Sequence, residues 1–155
     1  MDASFTGSVF LGMSVDGFIA RPDGDLAWLT GGGDAGGAPD DGEGGDFGFA
    51  DFVSGIDALV MGRATYDVIA AFDEAVTALT AAGYRRVYVD GGRTVHDFLA
   101  AGLVGELTLS RVPVLIGEGH TPFGPLPATG LLEHVRTRTF PGGMVQTTYR
   151  VRRDG

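Results

Sequence analysis

Three apolar runs punctuate the chain, and each closes on a glycine. Val9-Phe10-Leu11 is the centre of a run from Ser8 to Met13 that closes in Ser14-Val15-Asp16-Gly17. Asp57 to Met61 closes in Gly62-Arg63, and Arg85 to Asp90 closes in Gly91-Gly92. Short runs rich in β-branched and aromatic residues predict strands. Helical spacing follows the second and third. Tyr66, Ile69 and Ala70 share one face over Arg63 to Phe72, and Val95, Phe98 and Leu99 share another over Thr94 to Ala101. Asp73 is expected to cap a further helix through Ala82, with Gly83 as its stop. Gly102 ends the Thr94 helix. Strand, helical crossover and strand predict a βαβ unit with parallel strands and a right-handed connection. All three strands are expected to be central in the sheet.

The remaining pattern is simpler. Phe47 to Ile56 predicts a short helix with Phe49, Phe52 and Val53 inward. Glu106 to Ile116 is extended, and Pro113 within it demands an edge, a bulge or a break. Leu131 to Phe140 and Met144 to Arg152 alternate polar and apolar, joined at Pro141-Gly142-Gly143, so a hairpin is expected at a sheet edge. Thr30 to Gly48 is nearly all Gly, Asp, Ala and Pro and predicts a mobile loop of little stabilising value. Neither a repeat nor a linker divides residues 1–155, which read as one α/β domain.

Composition narrows the chemistry. Cysteine is absent, so disulfides and thiolate catalysis are excluded. All eleven basic residues are arginine, which excludes a lysine Schiff base. A net charge of −9 argues against nucleic acid and against an anionic membrane as partner. No apolar run is long enough for a membrane span. Met1-Asp2-Ala3-Ser4 lacks a basic region, so no signal peptide is read and a cytoplasmic protein is expected. The acids of the Gly-rich stretch lack calcium-loop spacing. The three histidines share no ligand pattern, so no metal is expected.

The candidate site residues cluster at strand ends. Strand, glycine turn and helix aim backbone amides and a helix N-terminus at an anion. Gly91, Gly92, Arg93 and Thr94 form one such cradle; Gly62, Arg63 and Thr65 form a second. In an open α/β sheet, ligands lie across the carboxyl ends of parallel strands, so these ends would face one crevice. Arg63 opens a helix, where the dipole disfavours a cation, and reads as either a phosphate ligand or a surface arginine. Asp16 is a turn-forming acid or a catalytic one. Asp90 caps the following helix or orients substrate. Trp28, the only tryptophan, covers a core edge or lines a pocket.

Four stretches together carry a resemblance: Met13 to Ala20, Leu59 to Tyr66, Val87 to Gly92, and Leu107 to Gly117. In this order they resemble the dihydrofolate reductase-like superfamily. Within it, they resemble the reductase domain of bacterial riboflavin-biosynthesis deaminase–reductases, the 5-amino-6-(5-phosphoribosylamino)uracil reductases. The resemblance implies a mixed, mostly parallel sheet flanked by helices, with a C-terminal antiparallel hairpin and NADPH at the strand ends. It implies hydride transfer to a small heterocyclic or ribosylamino-pyrimidine-like substrate. By it, Gly62, Arg63 and Thr65 match one phosphate motif, and Gly91, Gly92, Arg93 and Thr94 match the other. Asp16 matches the family acid near the reacting substrate, and Trp28 resembles the tryptophan after the first strand of dihydrofolate reductases proper; Trp28 and Asp90 are the candidates for the substrate pocket. The chain departs from the family by lacking two strands between residues 72 and 87, the edge beside the adenosine. The alternative is therefore a non-catalytic nucleotide-binding or dimer-forming domain that has lost part of the cofactor site. The long hairpin strands lead us to expect a homodimer.

Overall fold

The structure, a computed structural model, describes residues 3–30, 47–61, 68–127 and 129–152. Its spine is β1 (Thr6–Ser14), whose burial alternates from Val9 to Met13 because successive side chains leave opposite faces of the sheet. Two short helices follow, α1 (Ala27–Thr30) and α2 (Phe49–Ser54). Then come β2 (Ala58–Met61), α3 (Val68–Ala81), β3 (Arg86–Asp90), α4 (Gly92–Ala100) and β4 (Val104–Val112). The hairpin β5 (Leu132–Thr139) and β6 (Val145–Val151) closes the chain. The six strands form one sheet in the order β2-β3-β1-β4-β6-β5. β2, β3, β1 and β4 pair in parallel, and β4, β6 and β5 pair antiparallel.

The direction of travel decides which face each helix covers. From β2 to β3, and from β3 past β1 to β4, the chain moves the same way across the sheet. Right-handed crossovers then place α3 and α4 on one face. There Val76 and Leu79 of α3 and Val95 and Phe98 of α4 meet Val9 and Leu11 of β1, Val87 and Val89 of β3, and Leu107 and Leu109 of β4. Phe98 is 1% exposed and packs edge-on against Phe72, ring centroids 5.1 Å apart. A second, smaller cluster joins Trp28, Val112, Ile116, Phe140 and Met144.

The opposite face carries a different chemistry. Phe49 and Phe52 of α2 cover Phe10 and Tyr88 in a group of four rings. Burial, helped by the charge of Asp90, pushes the Tyr88 phenol up to about 12, so it stays neutral. It donates to the Phe10 carbonyl at 3.3 Å. Towards β4 and β6 this face is polar, with Thr108, Ser110, Gln146 and Thr148 all buried.

Several expectations need correction. The strand from Ala58 to Val60 is not central: β2 is the edge of the sheet, with Leu59 and Met61 exposed. Among the described residues its one neighbour is β3, and the chain between Phe72 and Val87 holds the rest of α3, a turn and the start of β3. Asp73 caps no helix. α3 runs through it without a break, since Phe72, Val76 and Leu79 continue one apolar face and Asp73 simply faces water. In α2, Phe49 and Phe52 do turn inward onto Phe10 and Tyr88, although Phe49 stays 42% exposed, while Val53 is exposed because so short a helix presents only a narrow stripe. α4 starts two residues early, at Gly92. Pro113 does break its strand: β4 stops at Val112, and Val114 N–H turns back to the Val112 carbonyl. The hairpin does lie at an edge, with β5 outermost. Residues 31–46 of the expected mobile loop and 62–67 of the first helix lie outside the described residues.

Phe98→Ala should lower stability by about 3–5 kcal/mol through the cavity it leaves. Leu59→Ala, at 55% exposure, should stay within about 0.5 kcal/mol. Urea unfolding monitored by circular dichroism measures both.

Candidate functional site

Parallel pairing brings the carboxyl ends of β1, β2, β3 and β4 to one edge of the sheet. Three segments meet there. The first is the turn after β1. Ser14 N–H donates to the Phe18 carbonyl at 2.8 Å, and Gly17 N–H returns to the Ser14 carbonyl at 3.0 Å. The second is the loop after β4, residues 113–125. The third is Gly91 and the first turn of α4.

Asp16 joins the first two. Its Oδ1 accepts from the Ser14 hydroxyl at 2.6 Å and from Ile116 N–H at 3.3 Å, and its Oδ2 accepts from Gly117 N–H at 2.8 Å. Val15 N–H donates to the Val114 carbonyl alongside, at 2.9 Å. The Ser14 hydroxyl holds the Asp16 carboxyl below its ordinary 3.8, against a smaller opposing effect of desolvation, and the Gly117 and Ile116 amides add to the lowering. Asp16 is therefore an ionised acceptor at neutral pH, and both its oxygens are engaged in holding loops.

Further along, Ile19 N–H donates to the His120 carbonyl and His120 N–H to the Ala20 carbonyl, an isolated bridge between the same two loops. Gly119 permits this approach: a Cβ there would sit 2.0 Å from the Ala20 carbonyl oxygen. His120 Nε2 lies 3.1 Å from the Pro22 carbonyl, and His96 Nε2 of α4 lies 2.6 Å from the Pro125 carbonyl. The loop after β4 is thus stitched to the β1 turn on one side and to α4 on the other.

The α4 end is built for an anion. Gly91 has φ +93° and ψ 134°, a conformation that side chains rarely adopt, and it turns the strand straight into the helix. Val95 N–H is the first to bond back, to the Gly91 carbonyl. The amides of Gly92, Arg93 and Thr94 are the free donors that open any helix, at its positive end. Arg93 is 70% exposed and loosely paired with Asp97 at 4.0 Å, a surface contact of little strength. These features fit a phosphate group.

The expected residues divide accordingly. Gly91, Gly92, Arg93, Thr94 and Asp16 converge on this edge, although Thr94 is buried, so its hydroxyl is not offered as an exposed donor. Asp90 accepts from Gly91 N–H at 2.9 Å, pinning the turn; no side chain caps α4. Trp28 is 4% exposed within the second core cluster, with Nε1–H donating to the Asp25 carbonyl, so its ring covers a core edge rather than lining a pocket. Gly62, Arg63 and Thr65 lie outside the described residues. Sequence reasoning missed the part played by residues 116–120. The signal was available in Gly117-Glu118-Gly119, two glycines directly beyond a strand that runs parallel to β1.

Among the described residues no group of acids and histidines could hold a metal, and no helix is long and apolar enough to cross a membrane.

A mixed sheet with this strand order, and a glycine-lined cradle at its parallel ends, defines the dihydrofolate reductase-like class. Residues 70–146 match the sequence profile of the RibD C-terminal domain. A Shewanella sp. PV-4 protein named for riboflavin biosynthesis is 27% identical, with a TM-score of 0.78 covering 96% of this chain and 99% of that one. The Enterococcus faecalis dihydrofolate reductase, solved with NADP(H), shares the fold at 14% identity and a TM-score of 0.60, covering 97% and 99%. The Bacillus subtilis protein YwjB, itself uncharacterised, is 27% identical over 176 aligned positions, covering 91% of this chain and 95% of YwjB. Those 176 positions exceed the 155 residues here, so YwjB carries residues that this chain lacks.

The lowered Asp16 carboxyl gives a pH test. A depressed value means the folded state favours the carboxylate, so the contribution is complete above 3.8 and disappears as pH falls through the lowered value. Urea midpoints should therefore be lower for Asp16→Asn than for the parent at pH 7, and the gap should close on acidification towards pH 3. A gap independent of pH would show that the charge is not what holds the loops. Asp57, lowered by the amides of Arg86 and Arg85, remains in both proteins and cancels in the difference.

Proposed function

We propose that the chain is an NADPH-dependent reductase of a small heterocyclic substrate of the ribosylamino-pyrimidine type. The observation that carries this reading is the cradle at α4: three free first-turn amides beside a Gly91 held at positive φ, in a family of reductases. A reduced nicotinamide, when bound, supplies the hydride. The residues of this chain bind and orient. Gly91 lets a phosphate approach the backbone, and the amides of Gly92, Arg93 and Thr94 donate to it. Arg63 by its motif, and Arg93 by its exposure, supply the cations that a 2′-phosphate needs in a chain of net charge −9. Asp16 keeps the Ser14 turn against the loop after β4 and, being ionised, leaves any neutral-pH proton donation to another group.

A second reading has its own support. β2 is a four-residue edge strand with one neighbour, so the adenosine side lacks the flanking strands expected of the family. On that reading the domain keeps a nucleotide pocket and no turnover.

Fluorescence titration with NADPH and NADH tests both readings. We expect NADPH to bind, weakly, and Arg63→Ala to lower its affinity about ten- to a hundredfold, the worth of one charge-assisted hydrogen bond. NADH should lose much less. Equal losses would assign Arg63 to the pyrophosphate or the fold. Binding of NADPH without its oxidation by any pyrimidine substrate offered would favour the second reading, and no binding at all would sink the first.

A further inference from the structure

The polar half of the other sheet face holds a cleft of about 430 Å³ between α2 and β5. Phe10 and Phe52 form one wall, and Thr108 and Thr148 lie on its floor. Phe10 precedes Ser14 by four residues, about 13 Å along a strand, so the floor is well removed from the strand ends and the α4 cradle.

Two features of this cleft lack an internal explanation. The first is a pair of arginines. Arg136 and Arg138 lie opposite Thr148 and Gln146 in the β5–β6 ladder, two residues apart and on one face. A bulge places them there: the register shifts between His134 and Arg136, so Val135 is the extra residue. Without that shift Val135 would oppose Thr148 and both arginines would leave by the other face. Among the described residues neither has a carboxylate within 4.0 Å, and Arg136 makes no hydrogen bond. Arg138 only lies over the Phe140 ring, 4.9 Å from its centroid. Like charges side by side on a strand face cost stability, and this chain has nearly twice as many acids as arginines available to neutralise them. The cleft also includes Arg86, which faces Glu106 at 4.0 Å, and Asp51 at its rim. Among the described residues the lining sets three arginines against two carboxylates, a positive balance in an acidic protein.

The second feature is a spare donor. The hydroxyls of Thr108 and Thr148, 3% and 2% exposed, are 3.2 Å apart and bonded to each other. One O–H fills that gap. The other has no acceptor among the described residues and sits on the cleft floor.

We propose that this cleft is a binding site for a small planar anion: an aromatic or heterocyclic ring bearing a carboxylate or phosphate. The anionic group takes the forked donors of Arg136 and Arg138, which suit planar oxyanions. The spare threonine O–H adds a third donor, and the ring lies along Phe10 and Phe52. This site is independent of the reductase reading.

Isothermal titration of the full chain with phenyl phosphate and with benzoate tests it, with benzyl alcohol as the uncharged analogue. At least one anion should bind, and benzyl alcohol should not bind in the same range; the stronger anion names the group. Arg136→Gln and Arg138→Gln should each weaken that anion by about tenfold or more. Thr148→Val, equal in volume, should weaken it too. Arg136 bonds to nothing described, so its variant should keep the parent circular dichroism spectrum and decides the matter if the others do not fold. The proposal fails if neither anion binds, if benzyl alcohol binds as well as the anions do, or if folded Arg136→Gln binds them like the parent.

Discussion

Everything in this fold follows from β1 having a parallel neighbour on both sides. Parallel strands cannot be joined by a tight turn, so each connection must cross a face and bring a helix with it. That requirement puts α3 and α4 on one face and leaves α1 and α2 for the other. It also gathers four carboxyl ends at one edge, beyond which the regular ladder stops. A core containing Val9, Val87 and Val89 at 0% exposure is the energetic result, and a set of loose strand ends is the geometric one.

Loose ends would not make a site. The structure secures them with short polar ties between segments far apart in sequence, of which Asp16 to Gly117 is the clearest. The tie is made by an acceptor that must be ionised to hold two amides and a hydroxyl at once. The same charge that organises the rim therefore keeps Asp16 from acting as an acid near neutral pH. An acid at the rim can thus serve a site through its neighbours.

Much of this was legible in the sequence because alternation and glycine placement are local signals. The strand from Val9 to Leu11, the crossover order, the stop at Pro113 and the edge hairpin all rest on such signals. What was not legible depended on neighbours. Ala58 to Val60 has the apolar residues of a central strand, and its own residues do not report that β3 is its one neighbour among the described strands; the short stretch from Phe72 to Val87 did carry that signal. Trp28 reads the same whether it covers a core or lines a pocket, and only the partners Val112, Phe140 and Met144 decide. The bulge at Val135 is invisible for the same reason, since β5 alone shows polar residues on both faces and register exists only in a pair.

The marginal position of β2 has a consequence for dynamics. Four residues paired on one side are the least secured part of the parallel sheet, and local opening begins where few bonds must break. Arg63 follows that strand by two residues in the sequence. A ligand held at the end of β2 spends part of its interaction energy on keeping that strand in place, an entropic tax that a fully flanked strand would not levy. A trimmed edge therefore weakens binding even when every contacting residue is kept, because affinity depends on how still the contacts are held.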